Sequence, residues 1–133
     1  MKEKTLGFIK PDAVKRNIVG EILAVLESER LDIIELKMMR FERREAEAFY
    51  IEHASQPFFE DLIAFMISGK IVAFVIEGEN AIVRYKELMG ATDPREALEG
   101  TLRKLFALSE DENSVHGSDS ISAANREIAQ IFR

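Results

Sequence analysis

The sequence predicts an α/β (α+β) sandwich, with helices packed on a four-stranded and mainly antiparallel sheet. Three observations carry that expectation. The run Ile71-Val72-Ala73-Phe74-Val75-Ile76 is continuously apolar and β-branched, as an inner strand covered on both faces should be. Stretches that alternate polar with apolar residues are separated by stretches whose apolar residues recur at helical spacing. At 133 residues, 47% hydrophobic and 32% charged, the chain suits one domain, residues 1–133, with a core of its own.

Taken in order, Thr5 to Ile9 reads as a short strand, stopped at Lys10-Pro11-Asp12 because the residue before a proline disfavours helix. Lys10 then stands at the rim of the sheet, where a solvated ammonium is the plain reading. Ile18, Ile22 and Leu26, with Val19 and Leu23 beside them, make one helical stripe. Leu31 to Phe41 alternates Ile34, Leu36 and Met38 against Glu35 and Lys37, a half-buried strand. Its phase slips at Met38-Met39, the mark of a bulge or of the strand's end. Glu42 to His53 is helix-forming, with Ala46, Phe49 and Tyr50 on one face and a solvated start at Glu42-Arg43-Arg44-Glu45. Ala54-Ser55-Gln56-Pro57 breaks it, and Pro57 suits the first turn of a second helix bearing Phe58, Leu62 and Phe65. That helix ends at Ser68-Gly69. After the inner strand, Gly78-Glu79-Asn80 forms a turn, with Asn80 capping a helix through about Met89 that closes at Gly90. From Gly90 to Asn113 the pattern is irregular, with short helical turns only around Thr101 to Phe106; so long a connection is more often functional than idle. A short strand at His116 and a last helix carrying Ile121, Ala124, Ile128 and Phe132 complete the order. Strand, helix, strand, helices, strand, helix and strand fit a βαββαβ ferredoxin-like sandwich with its helices on one face.

Composition narrows the function. A formal net charge of −6 argues against broad binding of nucleic acid or of an anionic membrane, although a local cluster of Lys and Arg can still hold a small anion. Without cysteine there is no disulfide, thiolate nucleophile or Cys-ligated metal. The start, MKEKTLGFIKPDAV, is too charged and too briefly apolar for a signal peptide, and the longest apolar run, Ile71 to Ile76, is far short of a membrane span. A cytoplasmic protein is expected, with no membrane and no specific nucleic acid among its partners.

The stretch Ser114-Val115-His116-Gly117-Ser118-Asp119-Ser120 holds one of only two histidines. A neutral imidazole is both abundant and nucleophilic near pH 7. Gly117 allows a sharp turn or the close approach of a ligand, and Ser118, Asp119 and Ser120 can cap the next helix or orient the ring. Alone, a histidine in a loop beside a helix cap would be the plainer reading. His53, between a helix and a turn, carries no assigned chemistry.

The whole chain resembles the nucleoside diphosphate kinase family. The resemblance rests on Phe8-Ile9-Lys10-Pro11-Asp12-Ala13-Val14, Phe49-Tyr50, Gln56-Pro57-Phe58-Phe59, Ala91-Thr92-Asp93-Pro94, Gly100-Thr101-Leu102-Arg103 and Asn113 through Ser120, in that order. It implies ping-pong phosphoryl transfer, in which His116 takes the γ-phosphate of a nucleoside triphosphate such as ATP and passes it to a nucleoside diphosphate. By the same resemblance Lys10 and Tyr50 flank the transferring phosphate, and Lys86, Thr92 and Arg103 hold the β- and γ-phosphates. Asn113 contacts sugar or phosphates, Phe58 stacks on the base, and Ser118 and Glu127 orient the imidazole. Stacking on one phenylalanine tolerates any base, so broad nucleotide specificity is expected. Mg2+ is expected on the nucleotide phosphates, with no metal ligands from the protein; no carboxylate or histidine cluster has ligand spacing.

Several positions depart from the family pattern. Lys86 stands where the family usually has a phosphate-binding arginine; it keeps the charge but loses the bidentate fork, which predicts retained activity with weaker or altered nucleotide affinity. Arg84 could take that role, although i and i+2 do not share a helix face. Lys104-Leu105 and Glu99 replace a glycine, an acidic residue and a proline common in a loop that helps build subunit contacts. The chain stops at Arg133, short of the tail some relatives use in hexamers, so a homo-oligomer of dimers paired into tetramers is expected over a hexamer. The alternative function is an interaction or regulatory protein on the same scaffold with a degenerate site.

Overall fold

The computed structural model describes residues 2–109 and 112–132, so positions 110 and 111 of the irregular connection lie outside it. β1 (Lys2–Ile9), β2 (Asp32–Met39), β3 (Ile71–Glu79) and β4 (Val115–Gly117) form one sheet in the order β2-β3-β1-β4. Each neighbouring pair is antiparallel, which gives the expected four-stranded ferredoxin-like arrangement.

The helices do not share one face. β1 and β3 are apolar on both sides, so both faces of the sheet need cover. Val72, Phe74 and Ile76 of β3 face α2 (Val19–Ser28) and α5 (Ala81–Met89), through Ile22, Leu26 and Tyr85. Leu6 and Phe8 of β1, with Ile71 and Ala73 of β3, face α3 (Arg43–Phe49), α4 (Phe59–Met66) and α7 (Ile121–Ile131), through Phe49, Ile63 and Ile131. Two cores thus sandwich the sheet. None of the helices among the described residues is long and apolar enough to cross a membrane.

Several local expectations change. Pro11 does more than stop β1: it opens a short helix, α1 (Pro11–Lys15), because its missing N–H costs nothing in a first turn. The register of β2 shifts between Ile33 and Glu35, not at Met38-Met39. As the edge strand, β2 leaves Ile34, Leu36 and Met38 exposed at 41%, 51% and 56%, so it is not half-buried. α3 stops at Phe49 and continues only as a 3-10 turn over Ile51–His53, and α4 begins at Phe59, beyond Pro57. β3 extends through Gly78 and Glu79; Asn80 then turns the chain with φ +52° and makes no side-chain cap. Ser120 does cap α7, accepting from the N–H of Ala123 at 3.1 Å. Thr101 likewise caps α6 (Leu102–Phe106), accepting from the N–H of Lys104 at 3.3 Å.

Gly117 neither turns the chain nor admits a ligand. It lies within β4 opposite Gly7 of β1, and the ring of Tyr85 rests over this pair. A Cβ on Gly117 would stand 2.5 Å from Tyr85 Cε2 and 2.7 Å from Met89 Cε. The missing side chains let α5 approach, and the Tyr85 hydroxyl donates to the His116 carbonyl at 2.9 Å. Gly117→Ala should therefore destabilise the fold by about 1–3 kcal/mol through overpacking. An unchanged denaturation midpoint would show that α5 has room to withdraw.

Candidate active site

The pairing of β4 with β1 sets His116 directly opposite Phe8, so both side chains emerge on one face. Their rings stack with centroids 4.5 Å apart and 14° between planes. Phe49 from α3 meets the imidazole edge-on at 5.2 Å. Packing alone thus restrains the ring on two sides.

Hydrogen bonds set its tautomer. His116 Nε2 lies 2.9 Å from Glu127 Oε1, on the second turn of α7. The Ser118 hydroxyl donates to the same oxygen at 2.9 Å, and Arg126 Nη2 stands 3.7 Å from Oε2. Burial would raise the Glu127 pKa, but the His116 and Ser118 hydrogen bonds and the Arg126 charge hold it below its ordinary value. The carboxylate is therefore ionised and can only accept, which places the imidazole proton on Nε2 and the lone pair on Nδ1. Burial also lowers the His116 pKa, against the hydrogen bond and charge of Glu127, so the ring is neutral at pH 7.

Tyr50 follows α3, its ring centroid 6.3 Å from that of His116. Burial, then the Glu127 charge, push its pKa far above the usual phenol value, so the hydroxyl stays protonated. That hydroxyl is buried without a hydrogen-bond partner among the described residues. An unmet buried donor costs about 1–3 kcal/mol, a cost that an oxygen brought by a ligand would remove.

Lys10 is not the solvated rim lysine of the plain reading. It is 9% exposed at the junction of β1 and α1, and its ammonium donates to Asn113 Oδ1 at 2.8 Å. Lys10 and Asn113 lie at one wall of a cleft of about 790 Å³, also lined by Thr92 and by Phe58, Leu62 and Phe65. Phe58 keeps 48% of its surface exposed there, its ring 5.6 Å from that of His53.

His116, Tyr50, Lys86 and Arg103 stand outside that lining, although the Lys10 charge at the cleft wall reaches the imidazole. Lys86 borders a neighbouring concavity and reaches Asp119 Oδ1 at 3.7 Å, an exposed pair of little strength. Arg103 donates to the carbonyls of Gly90 at 2.9 Å and Val115 at 3.1 Å, tying α6 to β4 and to the end of α5. Phe8 and Arg126 were not singled out from the sequence. Phe8 is an ordinary strand residue until β4 is placed beside it, whereas Arg126 could have been noticed through its adjacency to Glu127.

The cleft with its buried ammonium suits an anionic ligand that carries an aromatic base, and the unprotonated Nδ1 suits attack on a phosphoryl group. The comparisons with known proteins point the same way. The family model described as nucleoside diphosphate kinase matches residues 3–133. A nucleoside diphosphate kinase of Haemophilus ducreyi is 52% identical over 132 residues, spanning 99% of this chain and 96% of that protein. Among solved structures, the Aquifex aeolicus nucleoside diphosphate kinase superposes with a TM-score of 0.98 at 41% identity, over 100% of this chain and 96% of that one. A halophilic nucleoside diphosphate kinase from Halobacterium salinarum, solved in complex with CDP, gives a TM-score of 0.95 at 39% identity, over 99% and 88%.

An NMR titration of His116 should find its midpoint below the ordinary value of about 6.5. Glu127→Gln removes the charge that pulls this pKa up, so the midpoint should fall further. An upward shift in that variant would contradict the assigned electrostatics.

Proposed function

We propose, on the premise that this chain belongs to the nucleoside diphosphate kinase family, that its transfer of phosphoryl groups between nucleotides runs through a phosphohistidine on Nδ1 of His116. The observation that carries this reading is the grip of Glu127 on Nε2, which leaves Nδ1 as the nucleophilic nitrogen. Nδ1 attacks the γ-phosphorus of a nucleoside triphosphate; the N–P bond forms as the bond from phosphorus to the β–γ bridging oxygen breaks. The diphosphate leaves with that oxygen. The positive charge gained by the ring is met by the Glu127 carboxylate, itself steadied by Ser118. A second nucleoside diphosphate then attacks the phosphorus and restores neutral His116.

Lys10 and the Tyr50 hydroxyl meet the transferring phosphoryl oxygens, and Asn113 and Thr92 position sugar and phosphates. Phe58 supplies the base platform. Arg103 reaches the phosphates from its backbone tethers, and Lys86 by exchanging Asp119 for a phosphate oxygen. No three His, Asp or Glu side chains converge to hold a metal among the described residues, and Asp119 is exposed and paired with Lys86. Mg2+ would be held by the nucleotide's own phosphate oxygens, where it would neutralise their charge. Residues 1–133 serve as one domain for this activity, in the cytoplasm.

Intact-protein mass after incubation with ATP and Mg2+ should rise by one acid-labile phosphoryl group, and GDP should discharge it. His116→Ala should not charge, and Lys86→Arg should charge at lower ATP. A folded, nucleotide-binding wild type without transferable phosphate would instead favour the degenerate binding module.

The same reading includes a homo-oligomer built on dimers, with tetramers favoured over hexamers. Supporting a dimer, the apolar row Ile34, Leu36 and Met38 lies exposed on the edge strand β2, where an identical strand could cover it across a two-fold axis. Leu36→Glu combined with Met38→Glu should then sediment at the 15.1 kDa of one chain. A wild type already at that mass would refute the assembly.

A further inference from the structure

Between the phosphate-facing Asn113 and the nucleophile the chain makes an uncommon turn. Ser114 is fully buried with φ +72°, and the N–H of Val115 donates to the carbonyl of Asn113 at 2.9 Å. A bond from residue i to i+2 across a central φ near +75° is the rare, strained form of γ-turn. A non-glycine residue keeps such a conformation only where its surroundings over-determine it.

Here the surroundings come from α1. The Lys10 N–H donates to the Ser114 carbonyl at 2.8 Å, fixing the turn's backbone to the end of β1. The Ser114 hydroxyl donates to Asp12 Oδ2 at 3.2 Å and accepts from Arg16 Nη2 at 3.0 Å. Arg16 and Asp12 stand 3.6 Å apart as an i, i+4 pair, with the carboxylate side chain only 3% exposed. Arg16 Nη2 also donates to the Phe106 carbonyl at the end of α6. One serine hydroxyl therefore joins a half-buried ion pair, between α1 and the residue that caps its end, to the loop that carries Asn113 and leads into β4. The turn sets the Asn113 amide against Lys10 on one side of Ser114 and begins, on the other, the short strand that presents His116.

We propose that Ser114, Asp12 and Arg16 are positioning residues for phosphoryl transfer: they lock the strained γ-turn that holds the Lys10–Asn113 pair in register with the His116 nucleophile. The proposal rests on the reading of His116 as the phosphoryl carrier. None of the three needs to touch substrate. Their effect passes through the backbone of residues 113–116, where an error of the order of 1 Å in reacting geometry is expected to cost up to about a hundredfold in rate.

Two substitutions separate the hydroxyl link from backbone strain. Ser114→Ala removes the link and keeps the strain; Ser114→Gly removes the link but adopts a positive φ freely, so it protects folding. Asp12→Asn keeps an acceptor for the hydroxyl while weakening the ion pair. The measurement is the single-turnover rate of His116 phosphorylation at saturating ATP and Mg2+, well below the unfolding temperature of each protein. Ser114→Ala and Ser114→Gly should both charge about tenfold more slowly or worse, with Asp12→Asn between them and the wild type. Loss at saturating ATP cannot come from weaker binding or from a lower melting temperature. Wild-type charging rates in both Ser114 variants, with or without a change in stability, would overturn the positioning role while leaving the His116 reading intact. A wild type that never charges would overturn that reading and this one with it.

Discussion

The part-buried hydrogen bond between His116 Nε2 and Glu127 Oε1, 2.9 Å long, is the interaction on which the proposed chemistry turns. It joins the last strand to the last helix, so the two elements must dock before the imidazole exists in a defined tautomer. Around it the protein resolves a conflict. Burial lowers the imidazole pKa and keeps the ring neutral, whereas a buried carboxylate alone would tend to take up a proton. The His116 hydrogen bond, then the Ser118 hydroxyl and the Arg126 charge, keep Glu127 ionised, so it remains an acceptor for the Nε2 proton and a counter-charge in reach of the ring.

The sheet makes that geometry reproducible. β4 has only three residues, yet its pairing with β1 places Phe8 under the imidazole and Gly117 over Gly7. One face of the pair receives the stacked rings; the other receives Tyr85, whose hydroxyl holds the His116 carbonyl. His116 is thus held through its ring and its backbone from opposite faces of one strand. Rigid support on both sides suits the role proposed for His116, to attack and then be attacked from one position.

Placement of charge counts beside its sum. The chain carries a net −6, and Asp61 and Glu112 line the cleft together with Lys10, which is set against Asn113 near an exposed phenylalanine. At physiological salt the screening length is about 8 Å, so an anion at the cleft wall would feel chiefly the groups nearest to it, the buried ammonium among them. Lys86, loosely paired with the exposed Asp119, is a flexible point charge and not a fork.

By itself the sequence determined the alternation of strands and helices, the continuously buried β3, the cap at Ser120 and the set of residues from which the candidate site is built. These are local or near-local properties: periodicity, proline and glycine punctuation, and short ordered motifs survive without knowledge of neighbours. The cover on both faces of the sheet, the edge position of β2, the Tyr85 seat over Gly117 and the stack of Phe8 on His116 were decided only by the tertiary structure. So was the burial of Lys10, which in the bare sequence is one more charged residue beside a proline. Each depends on which strand lies beside which, a relation between residues as distant as 8 and 116. Ser114 marks the boundary most sharply. In the sequence it is a small polar residue before a valine; in the fold it sits at the apex of a strained turn, tied to Asp12 and Arg16 about a hundred positions earlier. Backbone strain of that kind leaves no composition signal, because long-range contacts and not local preference stabilise it.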